Sequence, residues 1–382
     1  MGQGFRIGVD ARPLAFPGTG NARYLHQMLK RLIRLRPGDE WVLLSHRPLH
    51  PEFLDLLRSE NVVLETDRSF LGRLGPLWLH FRLPRLAREH QIDLFWGTLA
   101  ALPWRAKTRL PCPTMVNFHD LNAYIAPETM TLWNRLQHRL MNGETLRNAG
   151  IVLCLSANTR NDILSRFPDL PAGKLEVIYP GCELPRPSGA KPGEEEEALE
   201  GCILCVGTLE PRKNHAVLLA AYREARREDD SLPPLVIAGR KGWGEDSVYL
   251  LLESGELERE NIFFLENPSD GKLRLLYEAA SLLAFPSLHE GFGLPIIEAL
   301  YLRKPVLLSD ISIFREIAPE GEFADPREIS SWKEALLRVS KKRRRGELQA
   351  PPFDAEFWSW DKRAEKLSAV INGALDAGAS RK

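Results

Sequence analysis

The sequence predicts an α/β fold of two domains, each built on a parallel β-sheet. Short runs of Val, Ile, Leu and Phe alternate with longer segments of helical periodicity, which is the pattern of parallel sheets with crossover helices. A chain of 382 residues also suits two cores better than one. Residues 185–200 carry Pro, Gly and a Glu run but nothing apolar enough to pack, so they mark the boundary between the domains.

The predicted strands follow one another in two series. The first series is RIGVD, WVLLS, VVLET, DLFWG, TMVNF, IVLCLS and LEVIYP, and the second is CILCVG, PLVIAG, NIFFLE, SLLAFP and PVLLSD. We expect a first domain over 1–184, a linker over 185–200, a second domain over 201–352, and a helix in 353–382 that packs back towards the first domain. Two such domains side by side would leave a deep cleft at the carboxyl ends of both sheets, where ligands bind in this class of fold.

Composition excludes several classes of protein. A hydrophobic content of 44% and a charged content of 27% describe a soluble globular chain. No run approaches the roughly 20 apolar residues of a membrane span, and the N-terminus lacks the apolar core of a signal peptide, so we expect a cytoplasmic protein. Cys202 and Cys205 have metal-like spacing, but strand geometry points them to opposite faces, which predicts buried free thiols.

Charge is unevenly distributed although the formal net charge is zero. Residues 1–180 contain 23 Lys and Arg against 16 Asp and Glu, a formal +7. A basic N-terminal half either meets an anionic partner, such as a membrane surface or a phosphate-bearing acceptor, or is simply solvated. Residues 68–90 mix Trp and Leu with Arg, so they either lie against a membrane or pack in the core with a solvated arginine face, and Pro84 interrupts any long helix there.

The loop CVGTLEPRKNH predicts an anion site. Its strand ends at Gly207, and a helix opens near Asn214, a good N-cap residue. Free backbone N–H groups and the positive end of the helix dipole would then face an anion. Arg212 and Lys213 add positive charge just before the helix, so a diphosphate fits this loop.

The loop FPSLHEGFGLPIIEAL predicts a second binding element. Gly291 and Gly293 let the backbone turn and approach a ligand closely, and Pro295 favours the first position of a helix. Glu290 and Glu298 would bracket a ligand with two carboxylates that can bond hydroxyl groups. The alternative is structural, with Glu298 complementing the helix dipole and Glu290 solvated.

These motifs carry a resemblance to a known family. EGFGLPIIE resembles the EX7E element of retaining GT-B glycosyltransferases, and GTLEPRKN resembles the diphosphate-binding loop of glycosyltransferase family four. The order of GTGNARY, NFHD, SANTRNDI, AGRKGW and FWSWDKRAEKL is similar too, so the resemblance covers nearly the whole chain. It implies the GT-B fold, in which two Rossmann-like domains face a deep cleft.

The resemblance also implies roles for residues of the second domain. Lys213 would bind the donor diphosphate, and Glu298 would bond the nucleotide ribose. Glu290 would hold the transferred sugar and its phosphate together with the glycine-rich turn of Gly291, Phe292, Gly293 and Leu294. Many relatives have an arginine where this chain has Thr208, so Arg212 either supplies that charge or points elsewhere.

In the first domain the resemblance implies three further contacts. Backbone N–H groups at Gly18 and Gly20 would meet phosphate, and His119 would contact the sugar near the reaction centre. Asp120 would touch the acceptor. A buried, hydrogen-bonded histidine is the structural alternative for His119. Arg160 is either an acceptor-side or interdomain contact or an ordinary surface residue.

The implied reaction transfers a hexose or deoxyhexose with retention, the leaving phosphate helping to deprotonate the acceptor hydroxyl. GDP-mannose is the donor we expect, a saccharide or a lipid-linked saccharide the acceptor, and peripheral contact with the inner face of the membrane stays open. No DxD motif suggests a metal site, so we expect neither metal nor other cofactor, and no nucleic-acid partner. The alternatives are an epimerase or phosphorylase of the same fold and a non-catalytic subunit of a glycan assembly complex.

Overall fold

The computed structural model describes residues 4–67, 75–184, 199–244 and 246–379, which form two compact units. The first unit comprises Met1–Tyr124, Leu132–Gly181 and Glu356–Lys382, and the second comprises Ile125–Thr131 and Cys182–Ala355. Most of the predicted linker, residues 185–198, lies outside the described residues. The predicted domain limits at 184, 200 and 352 stay predictions.

The first unit is built on a seven-stranded parallel sheet. Its order is β3-β2-β1-β4-β5-β6-β7. The strands are β1 Arg6–Asp10, β2 Glu40–Ser45, β3 Val62–Thr66, β4 Leu94–Gly97, β5 Thr114–Phe118, β6 Ile151–Cys154 and β7 Leu175–Val177. Its longer helices are α1 Gly20–Leu35, α2 Leu83–Glu89, α3 Leu132–Asn148, α4 Ala157–Arg166 and, from the C-terminal segment, α11 Trp360–Ala379.

The core of the first unit lies on both faces of this sheet. Because the strands are covered on both sides, they are apolar almost throughout, as parallel strands generally are. One face packs against residues 78–87, and on α1 the ring of Tyr24 meets that of Trp360 of α11 at 5.9 Å. The guanidinium of Arg36 also donates to Asn372, so the C-terminal helix is part of this unit.

The second unit is built on a six-stranded parallel sheet of order β10-β9-β8-β11-β12-β13. The strands are β8 Ile203–Val206, β9 Leu235–Gly239, β10 Ile262–Glu266, β11 Leu282–Phe285, β12 Val306–Ser309 and β13 Glu322–Ala324. The helices are α5 His215–Glu228, α6 Asp246–Glu253, α7 Asp270–Ala279, α8 Leu294–Tyr301, α9 Ser312–Ile317 and α10 Ile329–Arg344. Two parallel-sheet, Rossmann-like domains therefore confirm the predicted α/β fold.

Each sheet reverses its strand order between one pair of neighbouring strands. The loops that follow these strands carry most of the candidate site residues. In the second unit β8 lies beside β11, with the chain winding outward in opposite directions from this pair. The same reversal separates β1 from β4 in the first unit. In open parallel sheets, loops that follow the strands at such a reversal bind ligands.

Segment 68–90 packs largely in the core where it is described. Residues 68–74 lie outside the described residues, but Trp78, Leu79, Leu83 and Leu86 are buried. A π-helical turn over Trp78–Arg82 leads into α2, so Pro84 lies in the first turn of a helix, where its missing N–H is tolerated. This packing favours the core alternative for the segment.

One smaller expectation also concerns the fold. Cys202 and Cys205 are buried and free, as predicted, and burial raises the pKa of both thiols to about 12. The basic run at 341–345 closes α10, where Lys342 pairs with Glu322 on the surface. In the part of the chain that the structure describes, no helix combines the length and the apolar character that crossing a membrane requires.

Candidate functional site

The two loops singled out by the sequence meet in the second unit. One follows β8 and the other follows β11, the neighbouring strands at which the sheet reverses its order. The backbone N–H of Leu288 donates to the carbonyl of Arg212 at 2.8 Å, so the loops are hydrogen-bonded through their main chains. The strand order thus brings together two segments that are about 77 residues apart in sequence.

Asn214 connects the loops as well, in a way that corrects the sequence-based expectation. It precedes α5, but its backbone is left-handed, with φ of 57°, and its side chain makes no capping hydrogen bond. The side-chain amide instead donates to the carbonyls of Pro286 at 3.1 Å and Pro326 at 2.7 Å. Asn tolerates left-handed backbone better than most residues, which suits this linking role.

The central feature is a carboxylate held between two cations. The Nζ of Lys213 lies 2.6 Å from Oε1 of Glu290, and a guanidinium nitrogen of Arg212 lies 2.5 Å from Oε2. The hydroxyl of the buried Ser287 donates to Oε1 at 2.9 Å. Both carboxylate oxygens are therefore used, and all three charged side chains are largely buried.

Arg212 is held by a second carboxylate that the sequence analysis did not single out. Its guanidinium donates to Oε1 of Glu210 at 2.5 Å and to the carbonyl of His289 at 2.9 Å. Glu210 is buried, and it lies two residues before Arg212 in the motif LEPRK. This closeness in sequence is the signal from which Glu210 could have been predicted as a site residue. The site therefore combines two cations with two carboxylates.

Electrostatics keep Glu290 ionised. Burial acts to raise the pKa of its carboxyl, but the charges and hydrogen bonds of Arg212 and Lys213 outweigh that effect and lower the pKa to about 2. His215, the first residue of α5, has its pKa lowered to about 3, mainly by burial and also by Lys213. Near neutral pH, Arg212 and Lys213 therefore supply the positive charge here, and His215 does not.

The glycine-rich turn leads from this cluster into α8. Gly293 precedes the helix with φ of 110°, a conformation that side-chain-bearing residues rarely adopt, and a Cβ there would lie 3.2 Å from Ile296 and Phe314. The helix begins at Leu294, one residue before the predicted start, with Pro295 inside its first turn. Gly291 and the buried Phe292 lie between Glu290 and this helix start.

Glu298 occupies the buried side of α8. The hydroxyl of Tyr277, on α7, donates to its Oε2 at 2.9 Å, and both side chains are almost completely buried. The carboxylate is therefore fixed by a neighbouring helix, four residues after Leu294.

Thr208 lies where an arginine was expected from the resemblance. The side chain of Arg240, in the loop after β9, donates to the hydroxyl of Thr208 at 3.4 Å. The cation of Arg240 thus reaches the position of Thr208, while Arg212 is bound to Glu210 and Glu290. Arg240 was within the quoted motif AGRKGW but was not predicted as a site residue.

In the first unit, the loop after β1 carries the predicted glycines. Gly18 is left-handed, with φ of 69°, and Gly20 is the first residue of α1. The hydroxyl of Thr19 accepts a hydrogen bond from the N–H of Ala22 at 3.2 Å and so caps the helix.

His119 follows β5 and is tied to the neighbouring loop. Its Nε2 lies 2.8 Å from the carbonyl oxygen of Thr98, so we assign the proton to Nε2. Nδ1 is then a hydrogen-bond acceptor, and it is buried with no partner among the described residues. Burial lowers the pKa of His119, against the raising effects of Thr98 and Asp120, so the ring is neutral near pH 7.

Asp120 and Arg160 are placed less distinctively. Asp120 accepts a hydrogen bond from the N–H of Asn122 at 2.9 Å, and Arg160 is a half-buried residue of α4. Across the described ranges, no three His, Cys, Asp or Glu side chains are grouped so that they could hold a metal ion.

Two family models match the chain, one in each half. A model described as Glycosyltransferase Family 4 matches residues 18–186, and one described as Glycosyl transferases group 1 matches residues 191–350. Together they span most of the sequence.

Curated relatives and solved structures match over most of the chain as well. "O-antigen chain mannosyltransferase B" of Escherichia coli is 29% identical, over 87% of this chain and 90% of the relative. "O-antigen chain mannosyltransferase RfbU" of Salmonella typhimurium is 24% identical with the same coverage. A crystal structure of Anabaena Alr3699/HepE in complex with UDP and glucose aligns with a TM-score of 0.69 at 18% identity, over 97% of this chain and all of that one. That likeness supports the GT-B fold.

Proposed function

Because the chain belongs to the glycosyltransferases that join a family 4 domain to a group 1 domain, we propose that it moves a hexose from a nucleotide diphosphate sugar to a saccharide. GDP-mannose is the proposed donor, and a saccharide or lipid-linked saccharide in cell-surface polysaccharide synthesis is the proposed acceptor. The names of the O-antigen mannosyltransferases to which the chain is similar support both choices.

The observation that carries this proposal is the cluster of Arg212, Lys213 and Glu290 beside the glycine-rich turn. When a glycosidic bond to a diphosphate breaks, negative charge grows on the phosphate oxygens. Fixed cations and helix N-terminal N–H groups stabilise such charge best when they need no rearrangement during the reaction. This site offers both, at the carboxyl ends of β8 and β11.

Glu290 contributes by holding the cations in place. An ammonium group has three hydrogens, and Lys213 directs one of them to Glu290, so others can reach a diphosphate. The same carboxylate lies at the entrance of the turn. Once the diphosphate of the bound nucleotide sugar also pairs with Arg212 and Lys213, Glu290 can accept hydrogen bonds from sugar hydroxyls. The turn from Gly291 to Leu294 would bring backbone N–H groups to the sugar and its phosphate.

Glu298 is the proposed ribose ligand. The hydroxyl of Tyr277 occupies one of its oxygens and orients the carboxylate, which limits the side-chain entropy lost when a ribose diol binds. A carboxylate oxygen can accept more than one hydrogen bond, so the contact with Tyr277 leaves capacity for a ligand.

In the first unit, His119 is the proposed contact for the sugar near the reaction centre. Its neutral ring presents Nδ1 as an acceptor, which suits a sugar hydroxyl. Gly18 and Gly20 would meet phosphate, and Asp120 and Arg160 would lie on the acceptor side. On this scheme the leaving phosphate takes the acceptor proton, the anomeric configuration is retained, and no side chain acts as a nucleophile.

The proposal includes metal independence and a cytoplasmic place of action. Arg212 and Lys213 supply positive charge where a glycosyltransferase with a metal site would use the ion. The basic balance of residues 1–180 would suit an acceptor that carries phosphate on a lipid.

Calorimetry with GDP, UDP, dTDP and their sugars tests the donor site. The native chain should prefer one diphosphate, and Lys213→Ala and Glu298→Ala should each weaken its binding by at least about tenfold. Lys342→Ala is the matched control, since Lys342 belongs to the same unit but pairs with Glu322 on the surface. If no nucleotide binds the native chain at millimolar concentration, or if all three variants behave alike, the proposed site is wrong.

Product analysis then tests the reaction. With GDP-mannose and a saccharide acceptor, the proposal expects a new α-linkage whose anomeric configuration matches that of the donor, measured by NMR. Conversion of the donor sugar without any acceptor would instead indicate an epimerase.

A further inference from the structure

Helix α3, Leu132–Asn148, is anchored mainly by its C-terminal half, and Arg139 adds one contact in the other half by donating to the carbonyl of Ala123 at 3.0 Å. Its buried residues are Asn142, Gly143, Thr145 and Leu146, all in the C-terminal half. From residue 132 to 140 every side chain is exposed or half-buried. Two and a half turns of helix therefore extend along the surface of the first unit.

This exposed half carries most of its large apolar side chains on one face. Leu132, Trp133, Leu136 and Leu140 are 80%, 73%, 52% and 67% exposed. At 3.6 residues per turn they fall within an arc of about 100°. Single apolar residues are common on protein surfaces, whereas a continuous exposed stripe marks a surface that binds a partner or a membrane. We call these four residues the α3 stripe.

Positive charge borders the α3 stripe on one side. Arg135 and Arg139 lie about 60° and about 20° before Leu132 around the helix. The sequence has no Asp or Glu between Glu128 and Glu144, so this stretch of the helix is purely cationic.

A second cation borders the opposite side. Glu144 lies about 20° beyond Trp133 around the helix, and its carboxylate accepts a hydrogen bond from the backbone N–H of Arg105 at 3.4 Å. The guanidinium of Arg105 lies over the ring of the exposed Trp104, 5.4 Å from its centre. Since Glu144 comes one turn after Leu140, this aromatic ring and its cation lie beyond the Leu140 end of the stripe.

We propose that the α3 stripe is a docking surface for an anionic lipid bilayer. Leu, Trp and Arg on one helical face are the composition of helices that lie in the plane of a membrane interface. The apolar side chains would enter the boundary between headgroups and acyl chains, while Arg105 and Arg135 meet lipid phosphates. The charge pattern disfavours a second copy of the chain on the same face, because residues 129–143 contain no Asp or Glu that could pair with the arginines of a second stripe.

Vesicle flotation tests the proposal with the chain of 382 residues. The native protein should float with phosphatidylcholine vesicles that contain about one third phosphatidylglycerol, and much less with phosphatidylcholine alone. The double variant Trp133→Ser with Leu140→Gln should lower the bound fraction by about tenfold or more, since two large side chains no longer enter the interface. Both positions are exposed, so the substitutions leave the core intact.

Two further variants test whether binding is specific to the α3 stripe and how much its positive charge contributes. Leu250→Gln is the matched control, because Leu250 is 60% exposed but lies on α6 of the second unit, and it should float like the native chain. Arg135→Gln should weaken binding to the anionic vesicles and reduce its sensitivity to salt.

Several results would overturn the proposal. They are failure of the native chain to float with anionic vesicles, equal flotation with neutral vesicles, and flotation of the Trp133→Ser, Leu140→Gln variant at the native level. A dimer in sedimentation velocity that this variant abolishes, without any vesicle binding, would assign the stripe to self-association. Calorimetry of nucleotide binding on the same variants should give native values, so the outcome is independent of the proposed donor site.

Discussion

Replacing Glu290 by Gln is the most informative single substitution in the second unit. The amide keeps the shape of the side chain but removes the negative charge between Arg212 and Lys213. The pKa of Glu290 is lowered from 4.5 to about 2 even though burial opposes this. At 1.36 kcal/mol per pH unit, the ionised carboxylate contributes up to about 3 kcal/mol to folding at neutral pH.

The stabilisation by Glu290 depends on pH in a defined direction. Since the pKa is lower in the folded chain than in the unfolded chain, the stabilisation is complete above the unfolded value of 4.5 and is lost as the pH falls towards 2. The difference in stability between the native chain and Glu290→Gln should therefore be largest at neutral pH. It should shrink steadily as the pH is lowered below about 4.5.

Denaturant unfolding followed at a series of pH values measures this difference. Glu260→Gln is the matched control, because Glu260 pairs with Arg223 at 2.6 Å but both side chains are more than a third exposed, and such pairs contribute at most about 1 kcal/mol. If Glu290→Gln lowers the free energy of unfolding no more than Glu260→Gln does at neutral pH, or if the loss does not change as the pH falls, the ionised Glu290 does not stabilise the fold in this way.

Three further predictions concern nucleotide binding and catalysis. Tyr277→Phe removes the hydrogen bond to Glu298, which is worth about 1 kcal/mol, and leaves the contacts of Lys213 in place. It should weaken binding of the preferred nucleotide about fivefold in calorimetry. An unchanged affinity would argue against Glu298 as the ribose ligand. Because the pKa of His119 is lowered, the pH profile of kcat/KM should show no ionisation of this ring between about pH 6.5 and pH 8. A change in kcat/KM near pH 6.5 that His119→Gln abolishes would contradict the assignment of a neutral ring. Transfer after dialysis against EDTA should equal transfer before it, and a loss that Mg²⁺ or Mn²⁺ restores would show that Arg212 and Lys213 do not replace a metal ion.

The fold could be predicted because buried parallel strands are apolar along their whole length. Each of the twelve predicted strand segments overlaps an observed strand. The strand that was missed, β13, has only three residues, lies at the edge of its sheet and includes Glu322, so it offers neither length nor an apolar run. Such a strand is defined by its pairing with β12, which a local pattern does not contain.

Part of the site could be predicted and part could not, for a related reason. Lys213 and Glu290 were identified because each stands in a loop with glycine, proline and a helix start, all of which are local signals. Their direct contact spans 77 residues and depends on β8 and β11 being neighbours. The same applies to Glu210 and Arg240, whose partners are set by the folded loops.

The α3 stripe shows another limit of the sequence. Leu132, Trp133, Leu136 and Leu140 have the spacing of an ordinary amphipathic helix, and most such faces are buried. Only the structure shows that the helix is buried by its other half, which leaves this face exposed.

The main-chain bond between Leu288 and Arg212 has a consequence for protein engineering. Together with the amide of Asn214, it joins the turn after β8 and the turn after β11 into one rigid piece. Grafting either turn alone from a relative with another donor preference would leave the transplanted loop with mismatched partners. Donor exchange should therefore be attempted with both loops as a single cassette, residues 207–215 with residues 286–298.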